Sequence, residues 1–213
     1  MNAKTLLAAA LTAGLGLGVI AGTIAIADSP DKPSKPEFKL PPGWTEADMK
    51  ACELAGTAGK MHEQLAKDVG VWQGKSTLWM FPDSEPAQTE CTNTISKLMD
   101  GRFIKTEWAG EMPGMGPYNG LGTAGFDNVS QKFVSTWIDN HSTGIMYGTG
   151  ELSADGKTLT WNYTVNCPIQ KKPVAMREVV TAIAPGKKKI EMFGADPKSG
   201  KEFKMMAVEL TKK

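Results

Sequence analysis

Aromatic side chains are the residues of this chain most able to shape a site, with six tryptophans and three tyrosines among its 213 residues. Trp108, Trp137, Tyr147, Trp161 and Tyr163 all fall in stretches that read as strand. Successive side chains on a strand face opposite sides of the sheet. Aromatics that share one side can therefore line a pocket for a flat or apolar molecule, which is the usual form of a small-molecule site. They can equally fill an interior, as side chains do in small barrels. These five are the candidate ligand-binding residues, and both uses stay open at this point.

Other chemistry-bearing residues are sparse. The two histidines are His62, in a helical stretch, and His141, in a loop. Asp139, His141 and Ser142 lie too close in sequence to suit a hydrolytic triad, whose members usually converge from separate segments. Met112 and Met115 flank Pro113-Gly114 at a spacing that thioether copper sites also use. No His or Cys adjoins them to complete a soft-ligand set, and twelve methionines read better as adaptable packing. There is no phosphate loop, HExxH, GxSxG or paired zinc motif. No catalytic residue, metal ligand or cofactor is assigned.

Arg177 and Glu178 are adjacent on one expected strand and so face opposite sides. Asp139, Glu107, Glu151 and Arg102 lie in or near strands, and any that points inward could orient a ligand. A solvated outer face is the commoner place for them. Cys52, Cys91 and Cys167 are an odd set, so at least one thiol has no partner within the chain. Cys91 and Cys167 could pair, or all three could serve as small hydrophobes.

The elements that must position these residues follow from hydrophobic period. From Gly70 onward the pattern reads as ten strands, roughly 70–80, 88–99, 102–112, 118–126, 131–138, 144–153, 157–166, 173–184, 187–194 and 201–211. Asp127-Asn128, Asp155-Gly156, Pro185-Gly186 and Ser199-Gly200 supply turn chemistry between them. Leu159, Trp161, Tyr163, Val165 and Cys167 alternate with Thr and Asn, which marks a half-buried strand. Ten short strands joined by short turns suggest an antiparallel up-and-down meander. Closure into a barrel removes its two exposed edges.

Ahead of the strands, Thr45 and Asp48 form a capping-box variant. Ala47, Ala51, Leu54, Ala58, Met61 and Leu65 recur at helical spacing. Gly56 and Gly59 interrupt that stripe, so the segment between Glu46 and Val69 reads as two short helices or one kinked helix. The fold class is thus all-β, with a short N-terminal helical segment before the barrel.

Several of these stretches carry a resemblance. Gly70-Val71-Trp72, at the end of HEQLAKDVGVW, resembles the Gly-x-Trp opening of lipocalin-like barrels, whose tryptophan closes one end of the barrel. With GRFIKTEWAGEM (101–112), GLGTAGFDN (120–128), STWIDNHSTGIM (135–146) and MREV (176–179), residues 60–211 resemble a bacterial lipocalin-like, calycin-type family known only as proteins of unknown function. The resemblance implies a barrel with Trp72 at its closed end, and no activity. A haem site of the nitrobindin type, another barrel of this shape, would need a histidine on a late strand, and none follows His141.

The first 27 residues read as a secretory signal. Lys4 is the only charge before an apolar run that ends in Ala25-Ile26-Ala27, and small residues at those positions suit cleavage before Asp28. An uncleaved N-terminal membrane anchor is the alternative. Residues 28–44 are a proline-rich linker, and 45–213 form the helical lead-in and barrel. Loss of Lys4 with the signal leaves 23 basic against 23 acidic residues, and no basic stripe argues for nucleic acid. No second apolar run is long enough to span a bilayer. The expectation is a periplasmic or secreted barrel that binds a small apolar or amphipathic ligand without transforming it. An enzyme with interior carboxylates and a structural or interaction module are the alternatives. Oligomeric state is not legible.

Overall fold

The computed structural model of the chain describes residues 39–213. The signal segment and residues 28–38 of the proline-rich linker lie outside the described residues. Residues 42–213 form one unit, to which the following applies.

Two helices lead in, α1 (Glu46–Ala55) and α2 (Lys60–Ala66). The break falls where Gly56 and Gly59 interrupt the helical stripe. Thr45 caps α1 through the full capping box: its hydroxyl oxygen accepts from the Asp48 N–H, and the Asp48 carboxylate accepts from the Thr45 N–H at 2.8 Å. Neither helix has the length and apolarity to cross a membrane. Side chains from the barrel end pin the lead-in. Asn128 Nδ2 donates to the carbonyls of Leu54, Ala55 and Thr57, and Arg102 Nε donates to Gly56 O at 2.8 Å. These bonds satisfy the last carbonyls of α1, which a helix end leaves without internal partners.

Ten strands follow: β1 (Gly70–Leu78), β2 (Ala87–Leu98), β3 (Phe103–Met112), β4 (Gly116–Asp127), β5 (Lys132–Asp139), β6 (Met146–Leu152), β7 (Thr158–Cys167), β8 (Lys172–Ala184), β9 (Lys187–Ala195) and β10 (Glu202–Lys212). Each pairs antiparallel with its sequence neighbour, and β1 pairs with β10 to close the barrel. All ten expected strands are present. The seam runs from Trp72 opposite Lys212 to Leu78 opposite Met206. A Cβ at Gly74 would overlap the Glu209 carbonyl across this seam, so β1 and β10 approach this closely only over glycine.

The core runs from the helix-capped end of the barrel, where Leu65 of α2 joins Trp72, Ile95, Ile104, Ile190, Val208 and Leu210, along the wall to Cys91, Phe133, Trp161 and Tyr163. His62 is buried there as a local cap. Its Nδ1 accepts from Gly59 N–H at 3.0 Å, and its ring meets the edge of Phe126. The three cysteines are all free. Cys91 and Cys167 do not pair: Cys91 lies under the seam with its thiol on the Gly74 carbonyl, whereas the Cys167 sulfur accepts from Gln170 N–H in the β7–β8 turn. Burial raises the Cys91 thiol above its ordinary pKa.

Candidate functional site

The interior is not filled. A cavity of about 1050 Å³ runs through the barrel. Leu65 and Asp68 bound it at the helix end, and Met80, Met115, His141, Ile145 and Pro168 from the loops bound it at the other. Met80, Met115 and Ile145 are more than half exposed, so the cavity opens to solvent between those loops.

Glycines shape its wall. In an antiparallel pair, directly opposed residues share a face. Gly148 of β6 opposes Tyr163, and Gly150 opposes Trp161. A Cβ on Gly148 would overlap the Tyr163 ring, and one on Gly150 would sit 2.7 Å from Trp161 Cε3. Gly120 and Gly122 of β4 stand under the Trp137 ring in the same way. The rings therefore lie along the wall instead of projecting across the barrel, which leaves the centre open. Trp161 and Tyr163 stack at a 22° interplanar angle with centroids 6.1 Å apart, and Trp161 meets Phe133 edge-on.

Of the aromatics expected from sequence, Trp108, Trp137, Trp161 and Tyr163 line this cavity. Tyr147 does not. It is 60% exposed on the outer face, because the pairings Met146–Trp137 and Gly148–Tyr163 give the inward positions of β6 to Met146, Gly148 and Gly150. The inward positions are nearly bare, so the most prominent side chain of the strand is an outward one. Trp72 closes the helix end. Its Nε1 donates to Asp68 O at 2.7 Å, and Lys188 Nζ lies 4.3 Å from its ring centroid.

The polar groups of the cavity were mostly missed by the sequence reading. Lys188, on the inward phase of β9, is buried and paired with Asp68 at 2.8 Å. Asn93, opposite both Trp72 and Trp108, is buried, and its Oδ1 has no hydrogen-bond partner. Glu178 opposes Trp161 and Met192 and faces the cavity. Loss of hydration inside the barrel pushes its carboxyl up to about 7, against an opposing pull from Lys188. Its neighbour Arg177 faces outward over the Phe193 ring and pairs with Glu202, as the strand period requires. Of the other charges considered, Glu107 and Glu151 join outer-face lysines, and Asp139 lies at the rim of the cavity.

The rim carries a second polar cluster. Trp137 Nε1 donates to the Tyr118 hydroxyl at 3.0 Å, and that hydroxyl faces Asp139 Oδ2 at 3.4 Å. His141 stacks on Tyr118 and has its Nε2 3.1 Å from Pro117 O. At the wall, Ser135 Oγ and the Tyr163 hydroxyl are bonded at 3.1 Å. Burial raises both tyrosines above the ordinary phenol range, and the charges of Asp139 at Tyr118 and Glu178 at Tyr163 add to the rise. Both therefore remain neutral hydrogen-bonding groups at physiological pH.

An up-and-down antiparallel sheet closed on itself, helix-plugged at one end and open-centred, is a lipocalin-like, calycin-type barrel. Residues 57–212 match the family described as "Protein of unknown function (DUF1579)", and the chain belongs to that family. No curated protein matches it in sequence. Among solved structures it is similar to Rv2717c from M. tuberculosis, at 13% identity and TM-score 0.55, over 74% of this chain and 99% of that one. It is also similar to the S-type phycobiliprotein lyase CPES from Guillardia theta, at 10% identity and TM-score 0.50, over 73% of this chain and 93% of that one. At these identities the likeness concerns the fold.

Proposed function

We propose that this protein binds a small amphipathic molecule inside its barrel without transforming it. The carrying observation is the open cavity of about 1050 Å³, lined by Trp108, Trp137, Trp161 and Tyr163 with a few polar groups set among them. Ligand sites have this size and composition, roughly 300–1,000 Å³ with a predominantly apolar wall. A filled core would place the same aromatics across the barrel axis instead of along glycine rows.

N-phenyl-1-naphthylamine, a flat apolar fluorophore that brightens out of water, tests the reading. One molecule should bind per chain at micromolar concentration. No brightening up to the solubility limit of the dye would count against an open, apolar interior.

A catalytic role is the second reading, favoured by Glu178, since a carboxyl near 7 suits acid–base work at neutral pH. It is the weaker one because, among the described residues, Glu178 has no hydrogen-bonded base, acid or nucleophile beside it.

We also propose that the chain is exported, with residues 1–27 removed. The Ala25-Ile26-Ala27 site and the uncharged run before it support this. Edman sequencing of exported protein should begin at Asp28, and an N-terminus at Met1 would support the anchor instead.

A further inference from the structure

The polar groups of the cavity divide into those already satisfied by the protein and those that are not. Lys188, its buried cation, is engaged twice, by the Asp68 carboxylate at 2.8 Å and by the Trp72 ring face. Ser135 and Tyr163 satisfy each other. Two of the others bear on what a ligand would have to bring. Asn93 Oδ1 is buried with no donor. Among the described residues, Glu178 has neither a salt-bridge partner nor a hydrogen bond, although it faces the interior. Both are acceptors. A buried acceptor left without a donor is costly, and Asn93 Oδ1 is the one such side-chain atom among the described residues; a ligand that brings a donor to it and a cation to the unpaired Glu178 gains what the empty barrel lacks.

The wall adds a second argument. Trp161 stands directly opposite Glu178 on the neighbouring strand, so the carboxylate is set against an apolar wall that brings it no cation. A carboxylate ligand would find its one natural partner, Lys188, already neutralised, and would meet Glu178 as a like charge.

Building on the ligand-binding reading above, we propose that the barrel selects an amphipathic amine. The ligand's protonated nitrogen faces the Glu178 carboxylate, a further N–H or O–H donor satisfies Asn93 Oδ1, and its apolar body lies along Trp108 and Trp161. The groups set around Glu178 are Trp161 and Tyr163 from β7, Met192 and Lys188 from β9 with Asp68 behind it, and the more distant phenol of Tyr118 on β4. The Glu178 carboxyl sits at about 7, so its charge changes near neutrality. An alkylamine stays protonated up to about pH 10, as lysine does. Selectivity for the amine should therefore appear as pH rises through neutrality.

The test is displacement of N-phenyl-1-naphthylamine by decylamine, decanol and decanoate, which share a chain and differ in head group. At about pH 8 decylamine should bind roughly tenfold or more tighter than decanol, with decanoate weakest; tenfold corresponds to about 1.4 kcal/mol. At about pH 5.5, where Glu178 is protonated, the amine-to-alcohol ratio should shrink to within about threefold. Glu178→Gln should flatten that ratio at both pH values. Should that variant not fold, the pH 5.5 arm on the wild-type protein carries the same test. Decanoate binding tightest, three equal affinities, an amine preference that survives Glu178→Gln, or no displacement of a bound reporter would each overturn amine selectivity while leaving ligand binding intact. A reporter that never binds would remove the ligand-binding reading itself, and this inference with it.

Discussion

Between about pH 5 and pH 8 the wild-type barrel should lose up to about 3 kcal/mol of unfolding free energy that Glu178→Gln retains. The carboxyl titrates at 4.5 when hydrated and at about 7 in the folded barrel. Between those values the unfolded chain has released its proton and the folded chain still holds it. The unfolded state binds fewer protons, so stability falls as pH rises through this window and levels off above it. Below the hydrated value both states are protonated and the contribution is constant. Water entering the cavity reduces the effect, which makes 3 kcal/mol a ceiling. Urea denaturation of both proteins at several pH values isolates Glu178 from every other titrating group, because only the difference between the two curves is read. Parallel curves would mean that the carboxyl is hydrated and titrates as an ordinary surface acid.

Trp161→Ala should cost about 3 kcal/mol of stability and lower affinity for the naphthyl reporter. Trp161 is 5% exposed and is held by Gly150 beneath it, Tyr163 beside it and the edge of Phe133. Removing a buried Trp generally costs about 3–5 kcal/mol. The low end applies here because the change enlarges an existing cavity. The affinity loss follows from the altered wall, since Trp161 offers a ligand little surface of its own but backs the cavity through its packing on Tyr163 and Phe133. Tyr147→Ala is the matched control: an aromatic of the adjacent strand that faces outward, whose loss should leave reporter affinity unchanged. Equal affinity losses from both variants, in denaturation and titration experiments run side by side, would place the ligand outside the barrel.

The difference between Trp161 and Tyr147 also shows how far the sequence reaches. Strand count and order were legible, since apolar alternation and turn residues such as Asp155-Gly156 are local signals. Closure followed from the meander and the Gly-x-Trp opening, and the helix break followed from Gly56 and Gly59. Which phase of a strand faces inward was legible in β7, where an apolar set alternates with Thr and Asn. It was hidden in β6, where the inward positions hold two glycines because rings from the next strand occupy their space. The same blindness concealed the polar site. In β8 both phases mix apolar and charged residues, so Glu178 had no mark to separate it from Arg177. In β9 Lys188 is the middle of three lysines, of which only the register with Leu210 and Ala182 turns it inward. Asn93 shares its phase with Cys91 and Ile95, but between Thr92 and Thr94 it is one more polar residue in a polar stretch. Cross-strand register decides these cases, and it is a long-range property.

A crystal structure of the protein soaked with N-phenyl-1-naphthylamine tests binding inside the barrel most directly. The reporter should be found within the cavity, against Trp108 and Trp161 on the side of the barrel that carries Glu178. Reporter density confined to the outer surface, or an interior closed by inward-turned tryptophans at saturating reporter, would contradict it.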